Sequence, residues 1–203
     1  MAPQMRALNR GRRYRDRVPS LDPRAPLVID THELGRRPGS QRELSLTVPA
    51  PADLGIEMLK VPEGAELDLD LRFEAVMDGV LVTADVTAEL SGECVRCLEP
   101  IDDEIDVHFQ ELYMYDDTRD AATLDEDEDV SLTDGDLVDL EPVLRDAIVL
   151  DLPLQPLCRP DCAGLCPECG ANLNDEPDHG HEAPIDPRWA SLTGLAEAGN
   201  DAE

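Results

Sequence analysis

The chain has 203 residues, a formal net charge of -29 and an aromatic content of only 3%. That length holds one ordinary domain with long arms or two small domains, with a core built from Leu, Val, Ile and Ala. The charge excludes a nucleic-acid surface spread over the whole fold, and no apolar run approaches the roughly 20 residues that span a bilayer.

In chain order, residues 1–26 read as a flexible, Arg-rich arm without hydrophobic period, carrying Arg6, Arg10, Arg12, Arg13, Arg15 and Arg17. Residues 27–157 read as an antiparallel β domain. Two short apolar runs, around Leu27–Ile29 and Leu44–Val48, suggest strands, and Pro49 and Pro51 end the second. From Leu67 to Ala75, apolar residues alternate with Asp68, Asp70, Arg72 and Glu74, the period of a half-buried strand. Asp78-Gly79 supplies the residues of a tight hairpin turn. A second alternating run, Val82 to Leu90, returns from it, and a third carries Ile105, Val107 and Phe109. The three make a meander with Cys94 and Cys97 at one corner.

Residues 116–136 form an acidic stretch without periodicity, which reads as a loop. A helix follows over about 139–150, with Asp139 as N-cap, Pro142 in its first turn, and Leu140, Leu144, Ala147 and Ile148 on one face; Pro153 stops it. Residues 158–195 hold a Cys/His segment and a short terminal helix opened by Asp186 and Pro187, and residues 196–203 read as a disordered tail. The expected fold class is α+β: an antiparallel β-meander or open barrel with one main helix and a Cys/His-rich, zinc-binding C-terminal segment.

The N-terminal segment lacks the apolar stretch of a secretory signal, so a reducing cytoplasm is the expected setting. There, clustered cysteines are metal ligands more often than disulfides. Eight candidate ligands come in four close pairs: Cys94 and Cys97, Cys158 and Cys162, Cys166 and Cys169, His179 and His181. Two tetrahedral zinc sites need that number. The favoured grouping joins Cys166 and Cys169 to His179 and His181 as a local finger. Cys94 and Cys97 then join Cys158 and Cys162 across a long loop. The alternatives are one site from Cys158, Cys162, Cys166 and Cys169, or a site from the two C-x-x-C knuckles. Further options are an iron–sulfur cluster on Cys158, Cys162, Cys166 and Cys169, or disulfide exchange at Cys94 and Cys97. The bland reading of "DHGH" is two exposed histidines in a polar loop; His32 and His108 read as ordinary surface residues. Gly-rich phosphate loops, the G-x-S-x-G elbow and the H-E-x-x-H helix are missing from the sequence, so no enzyme is expected.

"LSGECVRCLEP", "VDLEPVLRDAIVLDLPLQPLC" and "CAGLCPECGANLN…IDPRWASL", in this order, resemble the YceD family over about residues 27–195. The resemblance implies a cytoplasmic, non-enzymatic bacterial protein that supports the making, processing or stability of 23S ribosomal RNA. It further implies a genomic neighbour encoding a small basic large-subunit ribosomal protein. Similar relatives carry Cys-x-Cys where this chain has His179 and His181, and others lack the "CPECG" knuckle. Two modes of action are expected. In one, the acidic body binds a basic ribosomal protein or assembly factor, with residues 116–139 supplying charge. In the other, the N-terminal arginines grip RNA phosphates.

Overall fold

The computed structural model describes residues 20–115, 130–181 and 188. The expected arm up to residue 19, the acidic stretch 116–129, the terminal helix at Asp186 and Pro187, and the tail lie outside the described residues. In chain order the strands are β1 (Val28–Asp30), β2 (Gln41–Pro49), β3 (Leu54–Gly55), β4 (Leu59–Val61), β5 (Glu66–Ala75), β6 (Gly79–Glu93), β7 (Pro100–Met114) and β8 (Leu137–Asp139). The helix α1 (Glu141–Asp151) follows.

Alternation builds the main sheet. β5 buries Leu67, Leu69, Leu71, Phe73 and Ala75 and turns its charged residues outward. β6 pairs with it antiparallel, setting Leu67 opposite Ala88 and Ala75 opposite Val80, while β2 pairs with the other edge of β5. The six-stranded sheet runs β2-β5-β6-β4-β3, with β7 also paired to β6; β1 and β8 make a separate two-stranded ladder. The expected meander is therefore β5-β6-β7. The short strands β3, β4 and β8 carry too few residues to show a period, and sequence reasoning missed them.

Two local expectations are corrected. The β5–β6 hairpin closes with Val76 N–H donating to Gly79 O at 2.9 Å, so Met77 and Asp78 fill the loop, not Asp78 and Gly79. Gly79 is needed for a different reason: a Cβ there would lie 2.2 Å from the Tyr113 carbonyl oxygen. At α1 the N-cap is Leu140, not Asp139. Asp139 is held one residue earlier as the last residue of β8, opposite Val28, yet its Oδ1 still accepts the Glu141 N–H at 3.0 Å. Pro142 does sit in the first turn, and Leu152, the residue before Pro153, is already extended. Leu140, Leu144 and Ile148 are fully buried, while Ala147 is half-buried. Arg145 on the flank donates to the carbonyls of Asp53 and Ala52 at 2.9 and 2.8 Å and to Glu141.

The chain divides into two compact units. The first holds the chain up to Gly92 together with Asp102–Leu154; the second holds Glu93–Ile101 and the chain from Gln155 onward. All eight candidate ligands belong to the second. Among the described residues, no helix is long and apolar enough to cross a membrane.

Candidate metal centres

The turn between β6 and β7 carries the first knuckle. Cys94 N–H donates to Glu99 O at 2.8 Å and Leu98 N–H to Cys94 O at 2.9 Å, with Leu98 at a φ of 60°. This tight turn aims both sulfurs the same way. The later segment is stitched to it: Val95 N–H donates to Pro156 O, Leu165 N–H to Arg96 O, and Arg96 Nη1 to Cys162 O at 2.9 Å. Cys94 Sγ then lies 3.7 Å from Cys162 Sγ, and Cys97 Sγ lies 3.5 Å from Cys158 Sγ. All four sulfurs lie within 4.8 Å of one another.

These distances discriminate between chemistries. A disulfide holds its sulfurs at about 2.05 Å, and all six cysteines are free thiols. A zinc tetrahedron with bonds of about 2.3 Å has sulfur–sulfur edges of about 3.8 Å. The four-thiol set fits that second geometry.

The second set is local. Gly170 N–H donates to Cys166 O and Cys166 N–H to Ala171 O, both at 2.8 Å, with Gly170 at a φ of 75°. Cys169 Sγ lies 3.1 Å from His179 Nε2 and 3.3 Å from His181 Nε2. The two Nε2 atoms are 2.9 Å apart, with the rings edge to face. Carboxylates face the opposite nitrogens: Glu176 is 3.1 Å from His179 Nδ1, and Glu168 is 3.5 Å from His181 Nδ1. With both Nδ1 atoms facing carboxylates, both Nε2 atoms are turned toward one point beside the Cys169 sulfur. A proton on one Nε2 or a metal ion shared by both accounts for their 2.9 Å separation, and carboxylate-backed imidazoles are the usual arrangement around zinc.

Electrostatics point the same way. Burial opposes ionisation of Cys94, but N–H groups of Cys158, Cys97 and Arg96 more than offset it and bring the thiol down to about 6. The N–H groups of Glu168 and Cys169 bring Cys166 down to about 6 as well. The Asn174 amide lowers Cys162. Cys158, hydrogen-bonded to Cys97 and crowded by the other sulfurs, is pushed up to about 12. Cys97 is also raised: the Glu99 N–H favours its thiolate, but burial and the Cys94 and Cys162 thiols outweigh it. His179 is raised, chiefly by its hydrogen bond to Cys166. Each set thus presents backbone donors to some sulfurs while neighbouring sulfurs resist full ionisation, a conflict that a divalent cation removes.

The structure brings Cys94, Cys97, Cys158 and Cys162 together, and separately Cys166, Cys169, His179 and His181. It does not assemble the alternatives, one set from Cys158, Cys162, Cys166 and Cys169 or one from the two knuckles. His32 and His108 stand apart, exposed and bonded to Asp136 and Asp85. Sequence reasoning missed Asn174, whose Nδ2 donates to Cys162 Sγ at 3.4 Å and whose Oδ1 accepts the Ala163 N–H at 2.8 Å. It also missed Arg96, Glu168 and Glu176. The only signal for Asn174 was its place five residues after the last cysteine of the knuckle.

Comparison with known proteins places these sites in a family context. A family described as "Large ribosomal RNA subunit accumulation protein YceD" matches residues 82–196, a span that contains all eight donors. An uncharacterized protein of Mycobacterium tuberculosis is 49% identical over 168 residues, covering 83% of this chain and 80% of its own. A Bacillus subtilis protein, YlbN, is 25% identical over 118 residues, covering 58% of this chain and 66% of its own. A maize protein named "Large ribosomal RNA subunit accumulation protein YCED homolog 1, chloroplastic" is 30% identical over 124 residues, covering 48% and 41%. No solved structure matches the chain.

Proposed function

The chain belongs to the YceD family, and from that premise we propose that it is a ribosome-biogenesis factor supporting the synthesis, processing or stability of 23S ribosomal RNA in the cytoplasm. The observation that carries this reading is the family match across residues 82–196, which includes the β6–β7 corner and both ligand sets. The name of the maize relative agrees with it.

The role is non-enzymatic. Each ligand set offers four protein donors, which fills a tetrahedron and leaves no position for substrate or activated water. Cys94, Cys97, Cys158 and Cys162 would hold one zinc, and Cys166, Cys169, His179 and His181 a second. Bound there, zinc supplies a structural clamp. The chain's own residues do the rest: backbone N–H groups orient the sulfurs, and Glu168 and Glu176 orient the imidazoles.

The partner follows from charge. At -29, the chain suits a basic large-subunit ribosomal protein or assembly factor better than bare RNA. The arginines between Arg6 and Arg17 favour a second reading, direct contact with RNA phosphates. The test uses the full zinc-loaded chain and a form lacking residues 1–20, each measured at low salt against basic large-subunit ribosomal proteins and a 23S fragment. In parallel, a strain lacking the gene is complemented with each form and its 23S RNA quantified. Binding of a basic protein by both forms, with restored 23S RNA, is expected. RNA binding that vanishes with the arm, without any protein partner, would overturn the acidic-surface reading. A coloured protein carrying iron and sulfide would overturn zinc.

A further inference from the structure

An open sheet edge and a cleft of mixed apolar and acidic lining lie side by side in the first unit. The cleft, about 870 Å³, lies between β7 and α1. Its apolar lining includes Phe109 from the strand and Val143, Ala147 and Leu150 from the helix, at the spacing of one helical face. Leu150 is 85% exposed and stands at the cleft rim beside Val143 and Ala147, an apolar strip and not a lone residue. Glu111, Asp146 and Asp151 line the same cleft.

The direction of β7's backbone groups follows from its bonds. Cys94 N–H donates to Glu99 O, and Tyr115 N–H donates to Asp78 O. Between those points, the Thr87 hydroxyl donates to Asp106, His108 pairs with Asp85 and the Gln110 amide donates to Thr83, all in one register. Odd-numbered residues of β7 therefore bond to β6, and even-numbered residues turn N–H and C=O to the outer edge. At Met114 those outward groups are used, by Ser131 O and Thr133 N–H. Among the described residues, β6 is the only strand of the sheet beside β7, so the outward groups of Asp106, His108 and Gln110 border the cleft without a described strand partner.

We propose that this edge and cleft are a docking site for an extended, basic segment of a partner protein, which adds to β7 as a strand and lays alternate apolar side chains against α1. Charge selects the occupant. Residues 102–112 include Asp102, Asp103, Glu104, Asp106 and Glu111, with neither Lys nor Arg. The one cation of α1, Arg145, is committed to Glu141 and to the carbonyls of Ala52 and Asp53. A second copy pairing β7 to β7 would set acid beside acid, and the chain's own acidic residues 116–129 meet the same repulsion. A strand bearing Lys or Arg toward the rim and aliphatic residues toward Phe109 and Leu150 meets both requirements. Main-chain bonds supply affinity there and the cleft supplies selectivity.

This inference rests on the reading that an acidic surface takes a basic protein, and its test separates the two. The probes are a short peptide of alternating lysine and valine and the same peptide N-methylated at alternate amides, which keeps charge but removes strand donors. Anisotropy at low salt with the full zinc-loaded chain should show the unmethylated peptide binding about tenfold tighter, the worth of one or two net hydrogen bonds. Asp146→Lys and Ala147→Arg should each weaken it about tenfold, with unchanged circular dichroism. Hydrogen exchange should slow at the amides of Asp106, His108 and Gln110 when the peptide binds. Equal binding of both peptides, indifference to both variants, or unprotected β7 amides overturns the docking site while the acidic-surface reading survives. Failure of both peptides and of the basic ribosomal proteins to bind at low salt overturns the broader reading. Protection of the same amides without peptide, lost on deleting residues 1–20, assigns the edge to the chain's own arm and overturns the partner.

Discussion

Asn174 tests whether the four-thiol set is a built metal centre or a chance gathering of cysteines. Its Nδ2 donates to Cys162 Sγ at 3.4 Å and to Asn172 Oδ1 at 2.9 Å, and its Oδ1 accepts the Ala163 N–H at 2.8 Å. Cys162 is 1% exposed, so water cannot replace the lost donor at the sulfur. Asn174→Ala removes three bonds, of which one acts on the sulfur and one holds the backbone beside it. At about 1 kcal/mol each for the latter two, the loss is about 2 kcal/mol. That corresponds to roughly 30-fold in affinity, inside the ~10–100-fold range for losing a group that orients a ligand. The assay is competition with a chromophoric chelator, which resolves tight and weak zinc in one titration. The zinc held by Cys94, Cys97, Cys158 and Cys162 should weaken by that factor, while the other keeps its affinity. Asn174→Asp retains an acceptor for Ala163 but sets a carboxylate against thiolates, so it should lose at least as much. Two zincs at wild-type affinity in Asn174→Ala would refute the reasoning, as would equal weakening of both.

Three more predictions follow from the same geometry. Cys94→Ser and Cys166→Ser should each lower zinc content by one from two, measured by mass spectrometry of the native protein; an unchanged count in Cys94→Ser contradicts the grouping. With metal chelated away, stability should rise from about pH 6 to about pH 9, the ordinary thiol range, as Cys94 and Cys166 ionise in the folded state below their unfolded values. It should fall again from about pH 9 to about pH 12, where Cys158 keeps its proton in the folded state but loses it when unfolded. Urea titrations across pH check both limbs, and a monotonic profile contradicts them. Gly79→Ala should destabilise by about 1–3 kcal/mol in thermal melts, since its Cβ would lie 2.2 Å from the Tyr113 carbonyl oxygen. An ordinary glycine at negative φ would instead gain stability on this change.

What could be read from the sequence depended on how many residues carried each signal. Leu67 to Ala75 repeats its period long enough to exclude a helix, and β6 and β7 do the same. Leu54–Gly55 and Leu59–Val61 are two and three residues long, and only their partners make them strands. The hairpin misled because Asp78-Gly79 is a good turn pair. Here Gly79 answers to the close approach of Tyr113, a contact 34 residues away that local pattern cannot show. Asp139 misled for a related reason, since strand pairing with Val28 claimed its backbone before α1 could. The ligand pairs were legible because each is a local turn. Their orienting groups were not, because Asn174 reaches Cys162 across a fold in the segment.

The two ligand sets also differ in what the second unit would be without them. Among its described residues the buried cluster consists of Cys94, Cys97 and Cys162, flanked by the half-buried Ile101, Leu157 and Leu165. In this unit the thiols stand where a larger domain would have its hydrophobic core. A protein in that position usually relies on a metal or disulfides, and the sulfur spacing of 3.5–3.7 Å fits a metal and not a disulfide. The four-thiol set spans 61 residues between Cys97 and Cys158, and its sulfurs are mostly buried. It therefore governs whether the β6–β7 corner and the C-terminal segment form one unit at all. The Cys/His set spans ten residues between Cys169 and His179, and leaves Cys169 and His181 exposed. It orders only its own loop. Loss of the first metal should therefore lower the stability of the whole unit while the local Cys/His loop keeps its own metal, whereas loss of the second should release residues 166–181 alone. That asymmetry puts the four-thiol set, not the histidine pair, at the centre of this unit's structure.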